Sequence, residues 1–452
     1  MITNTYLKTK EKLNILSVST TKILAQIGVF LLGLIFTTAL SAQEVYIGGY
    51  DDDGSSFNIA QIWEEDGTTH DLTDGAYSAR VYDVFVDDGD VYAAGYEMNS
   101  ASTDVAKVWK NGTPENLTDG YDYARANAVF VYDGDVYAAG YESTGAKYIA
   151  KLWKNGESQN LSDGLENAKA ESVFVYEGDV YVVGITYDYS VDGHNEDSKI
   201  KIWKNGTEQD LTNGVNYVDV ESIFVDNDDV YVAGREYNGT NYIAKLWKNG
   251  NAQNLTDGSF NASANSVFVF DGDVYVGGHD NNFPRLWKNG VEIDINYNTN
   301  HDGGEINSVY VSGTDVYLAG LLVESNYDNT ASCYKATFWK NQQVEFISAA
   351  PSCTDNTVMY SVVVDDGQLS VEDFDYTENK ITLYPNPVEE VLHIETKAEN
   401  IQQIELFSIT GQRLKTWENQ SEIDLSSFSE GNYFVKISKT DNQTVTKQII
   451  KK

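Results

Sequence analysis

At 452 residues, with 41% hydrophobic and 22% charged residues, the chain is too long for one ordinary domain and has the composition of a globular protein. Its 69 acidic against 31 basic residues give a formal charge of −38, which repels nucleic-acid phosphates and anionic lipid and excludes both as expected partners. Two Cys and five His leave little from which to build a multi-cysteine zinc site, a haem site or a disulfide-dense scaffold.

The chain opens with Lys8, Lys10, Lys12 and Lys22, followed by an uncharged stretch from Ile23 to Ala42 that ends in small residues. That order predicts a secretory signal peptide over residues 1–43 rather than a retained anchor, so the mature form has no transmembrane segment and folds outside the cytoplasm.

From residue 44 the sequence repeats. Trp63, Trp109, Trp153, Trp203, Trp247, Trp287 and Trp339 each sit in a W-K-N-G-like context, spaced 46, 44, 50, 44, 40 and 52 residues apart. A second marker, D-V-Y-x-x-G, accompanies each Trp, with Glu44-Val45-Tyr46 as its first copy. Within a unit, two runs of β-branched and aromatic residues flank Asp-Gly, and a second pair flanks Asn-Gly. These dipeptides accept the positive φ angles of a type I′ turn, so each unit predicts four antiparallel strands, A to D. Four strands repeated at this period predict a seven-bladed β-propeller over residues 44–371, within an all-β fold. The first unit lacks a strand A and an extra one, Ser361-Val362-Val363-Val364, follows the last. That strand is expected to complete the first blade and close the ring. The repeated Trp, and the Phe and Tyr of strands A and B, are read as packing between blades. The Asp-Gly-Asp turns are read as turns, because no D-x-D-x-D-G ligand spacing accompanies them.

Residues 372–380 read as a polar linker, and a new pattern follows. Leu383-Tyr384-Pro385-Asn386-Pro387, Leu392-His393-Ile394, Ile404-Glu405-Leu406-Phe407, Thr410-Gly411-Gln412, Gly431-Asn432-Tyr433-Phe434-Val435 and a basic end at Lys451-Lys452 occur in order. Together, residues 381–452 resemble the C-terminal sorting domain of the type IX secretion system of Bacteroidota. The residues themselves predict a small β-sandwich of about seven strands, with Thr410-Gly411 and Glu430-Gly431-Asn432 at turns. The resemblance implies recognition by the outer-membrane translocon after passage through the periplasm. It also implies removal of the domain, with the cargo released or held at the outer surface. With net +3 on residues 1–43 and net −1 on residues 380–452, residues 44–379, the propeller and most of the linker, carry −40 against a total of −38.

In such a blade the B–C and D–A connections share one face, where the loops vary, including long stretches at Thr186 to Ser198 and Val323 to Ser332; the uniform turns share the other. Binding residues concentrate on variable loops. Just after the strand B glycine come Tyr50-Asp51, Tyr96-Glu97, Tyr141-Glu142, Arg235-Glu236 and His279-Asp280. At the channel mouth strand A opens with Arg80 and Tyr82, Arg125 and Asn127, Lys169 and Glu171, Asp219 and Glu221, Ser263 and Asn265. A mixture of aromatic, amide and cationic groups suits a carbohydrate's hydroxyls and a carboxylate. The ligand candidates are Tyr50, Arg80, Tyr96, Arg125, Tyr141, Lys169, Arg235 and His279. Ordinary strand-end residues and salt bridges are the competing explanation. Cys333 and Cys353 flank the strand C–D hairpin of the seventh unit and are expected to form a disulfide. No nucleophile elbow or H-E-x-x-H occurs. The expectation is therefore an exported, non-catalytic recognition protein for a glycan or a protein, with no cofactor beyond loosely bound calcium. A polysaccharide lyase or hydrolase and a structural surface protein are the alternatives.

Overall fold

The structure is a computed structural model that describes residues 43–52, 57–189, 195–297, 301–325, 332–347, 356–365, 381–384, 387–388, 390–396, 401–408, 413–418, 420–429, 431–439 and 444–452. The linker, and the signal peptide apart from its last residue Gln43, lie outside these residues. Among the described residues every regular element is a strand.

Residues 44–365 form seven four-stranded antiparallel sheets, the blades of a β-propeller. Blade 1 takes its inner strand from the far end of the repeat region: Val358–Asp365 pairs with Glu44–Asp51, with Val45 opposite Val364 and Tyr46 opposite Val363. Joining the two ends in one sheet leaves no open edge in the ring.

Both repeat motifs have local causes. The Asp-Gly and Asn-Gly turns hold two successive positive φ angles, as at Asp133 and Gly134 (53° and 73°) and Asn111 and Gly112 (49° and 76°). The two turns of a blade are then clasped together. In blade 2, Asn111 Nδ2 donates to Asp90 Oδ1 at 2.7 Å, Val91 N donates to Asn111 Oδ1 at 2.8 Å, and Lys110 Nζ meets Asp90 Oδ2 at 2.6 Å over the Tyr92 ring. The Lys-Asn of one motif thus grips the Asp and Tyr of the other, and the Asn and Lys contacts to Asp recur in blades 3 to 7. All seven Trp are buried. Trp153 packs among Tyr92, Ala94 and Val108 of the preceding blade, and Trp63 among Tyr317 and Phe338 of blade 7. These rings hold blades together rather than a ligand.

The described residues of two stretches read as loops are strand. Asp179–Tyr189 pairs with Asn195–Lys204 as far as Tyr189 opposite Asn195, and Asp315–Ser325 pairs with Ser332–Lys340 as far as Ser325 opposite Ser332. Thr186, Tyr187 and Tyr189 are good strand formers, and the pairing resumes beyond a register shift between Thr186 and Asp188.

The C-terminal unit has a three-stranded and a four-stranded sheet among the described residues, around a core that includes Leu392, Ile394, Ile404, Leu406, Val435 and Ile437. Gly431 and Asn432 open a strand, opposite Lys451 and Ile450, instead of forming the expected turn. Tyr384 pairs with His393, Tyr433 Oη donates to Ser429 O at 2.8 Å, Pro387 is exposed and Lys451 is buried. Pro385, Asn386 and Gly411 lie outside the described residues.

Candidate functional site

Strand A of each blade enters the ring from the connection face and carries a β-bulge after its first few residues. The register skips one residue at Tyr82, Asn127, Glu171, Glu221, Asn265 and Asn307, and at Tyr360 in the closing strand. A bulge frees a residue from the ladder and re-aims its side chain. Here it turns one side chain per blade toward the channel mouth, where all seven line a cavity of about 440 Å³.

The bulge also explains the glycine of D-V-Y-x-x-G. A Cβ on Gly140 would stand 2.0 Å from the carbonyl oxygen of Arg125, and Gly95, Gly184, Gly234, Gly278, Gly320 and Gly49 face the corresponding carbonyls at 1.9–2.2 Å. The glycine lets the bulged backbone lie against strand B.

Below the bulge a second tier locks the blades. Ser172, Ser222, Ser266 and Ser308 each accept a hydrogen bond from a backbone N–H of the next blade at 3.1–3.3 Å. Asp83 does the same for Val129 at 3.0 Å and accepts from Ser361 Oγ at 2.7 Å, so it ties the closing strand to blades 2 and 3. Burial pushes its carboxyl up to about 6. Ala128 occupies this position in blade 3. Deeper still, Phe85, Phe130, Phe174, Phe224, Phe268 and Tyr310 touch in succession, with ring centroids 4.5–4.9 Å apart. With Val363 in the seventh place they form an apolar collar. The cavity is thus a cup that opens on the connection face.

Of the eight ligand candidates, seven line this cup or the adjoining cavity of about 710 Å³, which shares His279, Glu305 and Tyr360 with it. They form a ladder of cations on aromatic faces: Arg80 over Tyr50 at 4.3 Å, Arg125 over Tyr96 at 4.5 Å and Lys169 over Tyr141 at 4.6 Å. Tyr96 lies behind Arg125, is buried, and does not line the cup. Arg235 reaches Asp219 at 2.8 Å, and His279 Nδ1 stands 3.5 Å from Glu305 Oε2. Arg125 is held by the buried Asp104 at 2.6 Å.

The carboxylates that follow these residues do not join the site. Glu97, Glu142 and Glu236 point to the opposite sheet face and pair with Lys107, Lys151 and Lys245 of strand C at 3.0, 2.8 and 2.5 Å. Strand alternation separates each from the Tyr or Arg before it. The residues missed by the sequence are Glu305, Asn307 and Tyr360 in the cup, Asp104 behind Arg125 and Asp83 beneath the cup.

The cup's acids are strongly perturbed. Burial, offset in part by Lys169, pushes the Glu171 carboxyl up to about 8, and Asn127 Nδ2 donates to its Oε2 at 2.7 Å. Glu221 reaches solvent through the mouth but is otherwise ringed by protein; that surrounding, with Asp219 and Glu171, holds its carboxyl well above the usual range. Burial also raises Tyr360, to about 12. Among the described residues no cluster of three or more His, Cys, Asp or Glu has metal-holding geometry. Cys333 is buried and its Sγ donates to Glu324 O at 3.2 Å; Cys353 lies outside the described residues.

Around the cup the D–A loops lift apolar side chains into water. Tyr121, Leu165 and Val215 are 86%, 77% and 76% exposed. In each loop an Asp or Asn side chain caps its own turn, as Asp119 Oδ1 does for Tyr121 N at 3.1 Å, and so props up this rim.

Residues 382–452 match the family described as "Secretion system C-terminal sorting domain". The C-terminal unit is a type IX secretion sorting domain. It directs the protein to the cell surface or the extracellular space and engages the secretion system. The propeller is its cargo. No curated protein matches the chain. Among solved structures it is similar to a puromycin hydrolase (13% identity, TM-score 0.47, 78% of this chain and 57% of that one). It is also similar to the β-propeller domain of the Trilobed protease of Pyrococcus furiosus (11%, 0.40, 63% and 86%) and to a PL25 ulvan lyase (11%, 0.44, 68% and 92%). The chain spans little more than half the length of the puromycin hydrolase. At these identities the likeness concerns the fold alone. No helix of the described residues is long and apolar enough to cross a membrane.

Proposed function

We propose that the propeller is a non-catalytic recognition module, delivered by the sorting domain, that holds a saccharide in the connection-face cup. One observation carries this reading: seven bulges, one per blade, aim Tyr, Asn and Glu side chains into a single cup. Amides, phenols and carboxyls are the donors and acceptors that a ring of hydroxyls needs. The cup's volume lies within the range of small-ligand sites.

A polysaccharide-cleaving enzyme is the second reading. Its support is the raised carboxyls of Glu171 and Glu221, since perturbed acids in a cleft also mark catalytic sites. The exposed Leu165 and Val215 suit a protein partner better than a sugar.

The test is a glycan-array screen of the secreted protein, with calcium and with chelator, followed by incubation of each hit. A specific hit weakened by Lys169→Ala, with the glycan recovered intact, supports the module. A shortened glycan overturns the non-catalytic reading, and no hit from folded protein rejects the saccharide. Lys169 is the better probe than Arg125, whose removal would strand the buried Asp104 carboxylate.

A further inference from the structure

Three residues, His279, Glu305 and Tyr360, belong to the walls of both the cup and the adjoining cavity of about 710 Å³. Each cavity by itself lies within the range of small-ligand sites, so the pair offers more room than one sugar ring fills.

The two linings differ in kind. The cup is ringed by the polar side chains of the bulges. The adjoining cavity has an apolar side, where Leu321 and Val358 are buried with Tyr50 and Val323 packs against them. Two of its aromatic rings are already engaged: Arg80 covers the Tyr50 face, and Tyr360 lies against Tyr50 and Tyr82. Tyr334 is different. It stands opposite Val323 on strand C of blade 7, is 44% exposed, and has neither a ring nor a cation against it among the described residues. At the same strand position in blades 3 and 5, Tyr148 and Tyr242 are tucked against Tyr141 and Tyr237. An open phenol ring at the edge of a cavity is a platform for the apolar face of a sugar, with a hydroxyl left to hydrogen-bond.

The junction between the cavities is polar and incomplete. His279 Nδ1 is shielded from solvent and has no hydrogen-bond partner among the described residues, and Glu305 Oε2 stands 3.5 Å from it, too far for a good hydrogen bond. Buried polar groups are satisfied as a rule, so this half-made pair calls for a further donor or acceptor. A hydroxyl or linkage oxygen crossing from one cavity to the other supplies it.

We propose that the site reads an oligosaccharide of at least two units, one in the cup and the next stacked on Tyr334, with the linkage crossing at His279 and Glu305. This rests on the reading of the cup as a saccharide site, and adds to it a second subsite and a chain-length requirement.

The test titrates the secreted protein with the one-unit and two-unit fragments of the strongest array glycan. The two-unit fragment is expected to bind about tenfold more tightly. Tyr334→Ala should abolish that gain while leaving the one-unit affinity within about twofold, because Tyr334 lines only the adjoining cavity. Tyr334→Phe, which keeps the ring, should retain the gain, and Lys169→Ala, in the cup, should weaken both fragments. If Tyr334→Ala disturbs strand C, Tyr334→Thr removes the ring with a better strand former. Where the one-unit fragment binds too weakly to measure, a loss of about tenfold on the two-unit fragment in Tyr334→Ala supports the proposal. Equal affinity for the two fragments, or a gain that survives Tyr334→Ala, overturns the second subsite and leaves the saccharide reading intact. Failure of every array glycan removes both readings.

Discussion

Replacing Gly140 by Ala tests whether the bulges build the cup. The new Cβ would lie 2.0 Å from Arg125 O, about 1.3 Å inside the closest ordinary C···O contact of about 3.3 Å. The obstructing atom is backbone, so no rotamer change relieves the clash. Strand A must move away or lose its bulge, and either change withdraws Asn127 from the cup and strains its bond to Ala170 O. Overpacking of this kind costs about 1–3 kcal/mol, and the backbone obstruction places this case near the upper end. Thermal unfolding of the secreted protein should show a transition lower by roughly 5 °C, with weakened binding of any cup ligand. A variant as stable as the parent, with unaltered binding, would refute the claim that this glycine is required by the bulge.

Three further outcomes follow from the same geometry. The Glu171 carboxyl is raised from 4.5 to about 8, so the unfolded chain releases this proton first and the stability it contributes is lost as pH rises through that window. Such a shift corresponds to a ceiling of about 5 kcal/mol, which water in the open cup reduces to about 1–2 kcal/mol; Glu171→Gln should stabilise by that amount at pH 8 and by little at pH 5, as read from denaturant midpoints. Ala128 breaks the ring of interblade hydrogen bonds, so Ala128→Ser should add one to blade 4 and stabilise by about 0.5–1.5 kcal/mol, whereas Ser266→Ala, which strips the acceptor from Val309 N, should destabilise by about 1–3 kcal/mol. Trp153→Ala should cost about 3–5 kcal/mol, and Tyr121→Ala, fully on the rim, within about 0.5 kcal/mol.

The architecture was legible because it repeats. Seven Trp, seven D-V-Y-type runs and the turn dipeptides each reported the same unit, and the surplus strand at Val363 announced the ring closure that its pairing with Tyr46 shows. The cup was only half legible, and the reason is the bulge. The sequence placed Tyr82, Asn127, Glu171, Glu221 and Asn265 at the channel mouth, but the one-residue slip in strand A that turns them into the cup leaves no compositional mark. The one available signal was the glycine of D-V-Y-x-x-G, which marks a close backbone approach without naming the residue it frees. Glu97 and Glu142 were misplaced because adjacency in sequence was taken for adjacency in space, although neighbours in a strand face opposite sides. Asn307 and Tyr360 were missed because blade 7 and the closing strand begin with residues unlike those of the other blades. Asp83 could not be distinguished from a surface acid before its partners in three blades were known.

The central claim is that the cup is where a ligand binds, and Glu221→Trp tests it most directly. Glu221 has no partner to lose among the described residues, and an indole at that bulge would fill the cavity. Equilibrium titration of an array-selected glycan should show its affinity abolished in Glu221→Trp while the thermal transition stays within a few degrees of the parent. Undiminished affinity in a folded Glu221→Trp protein would place the binding surface elsewhere and contradict the account.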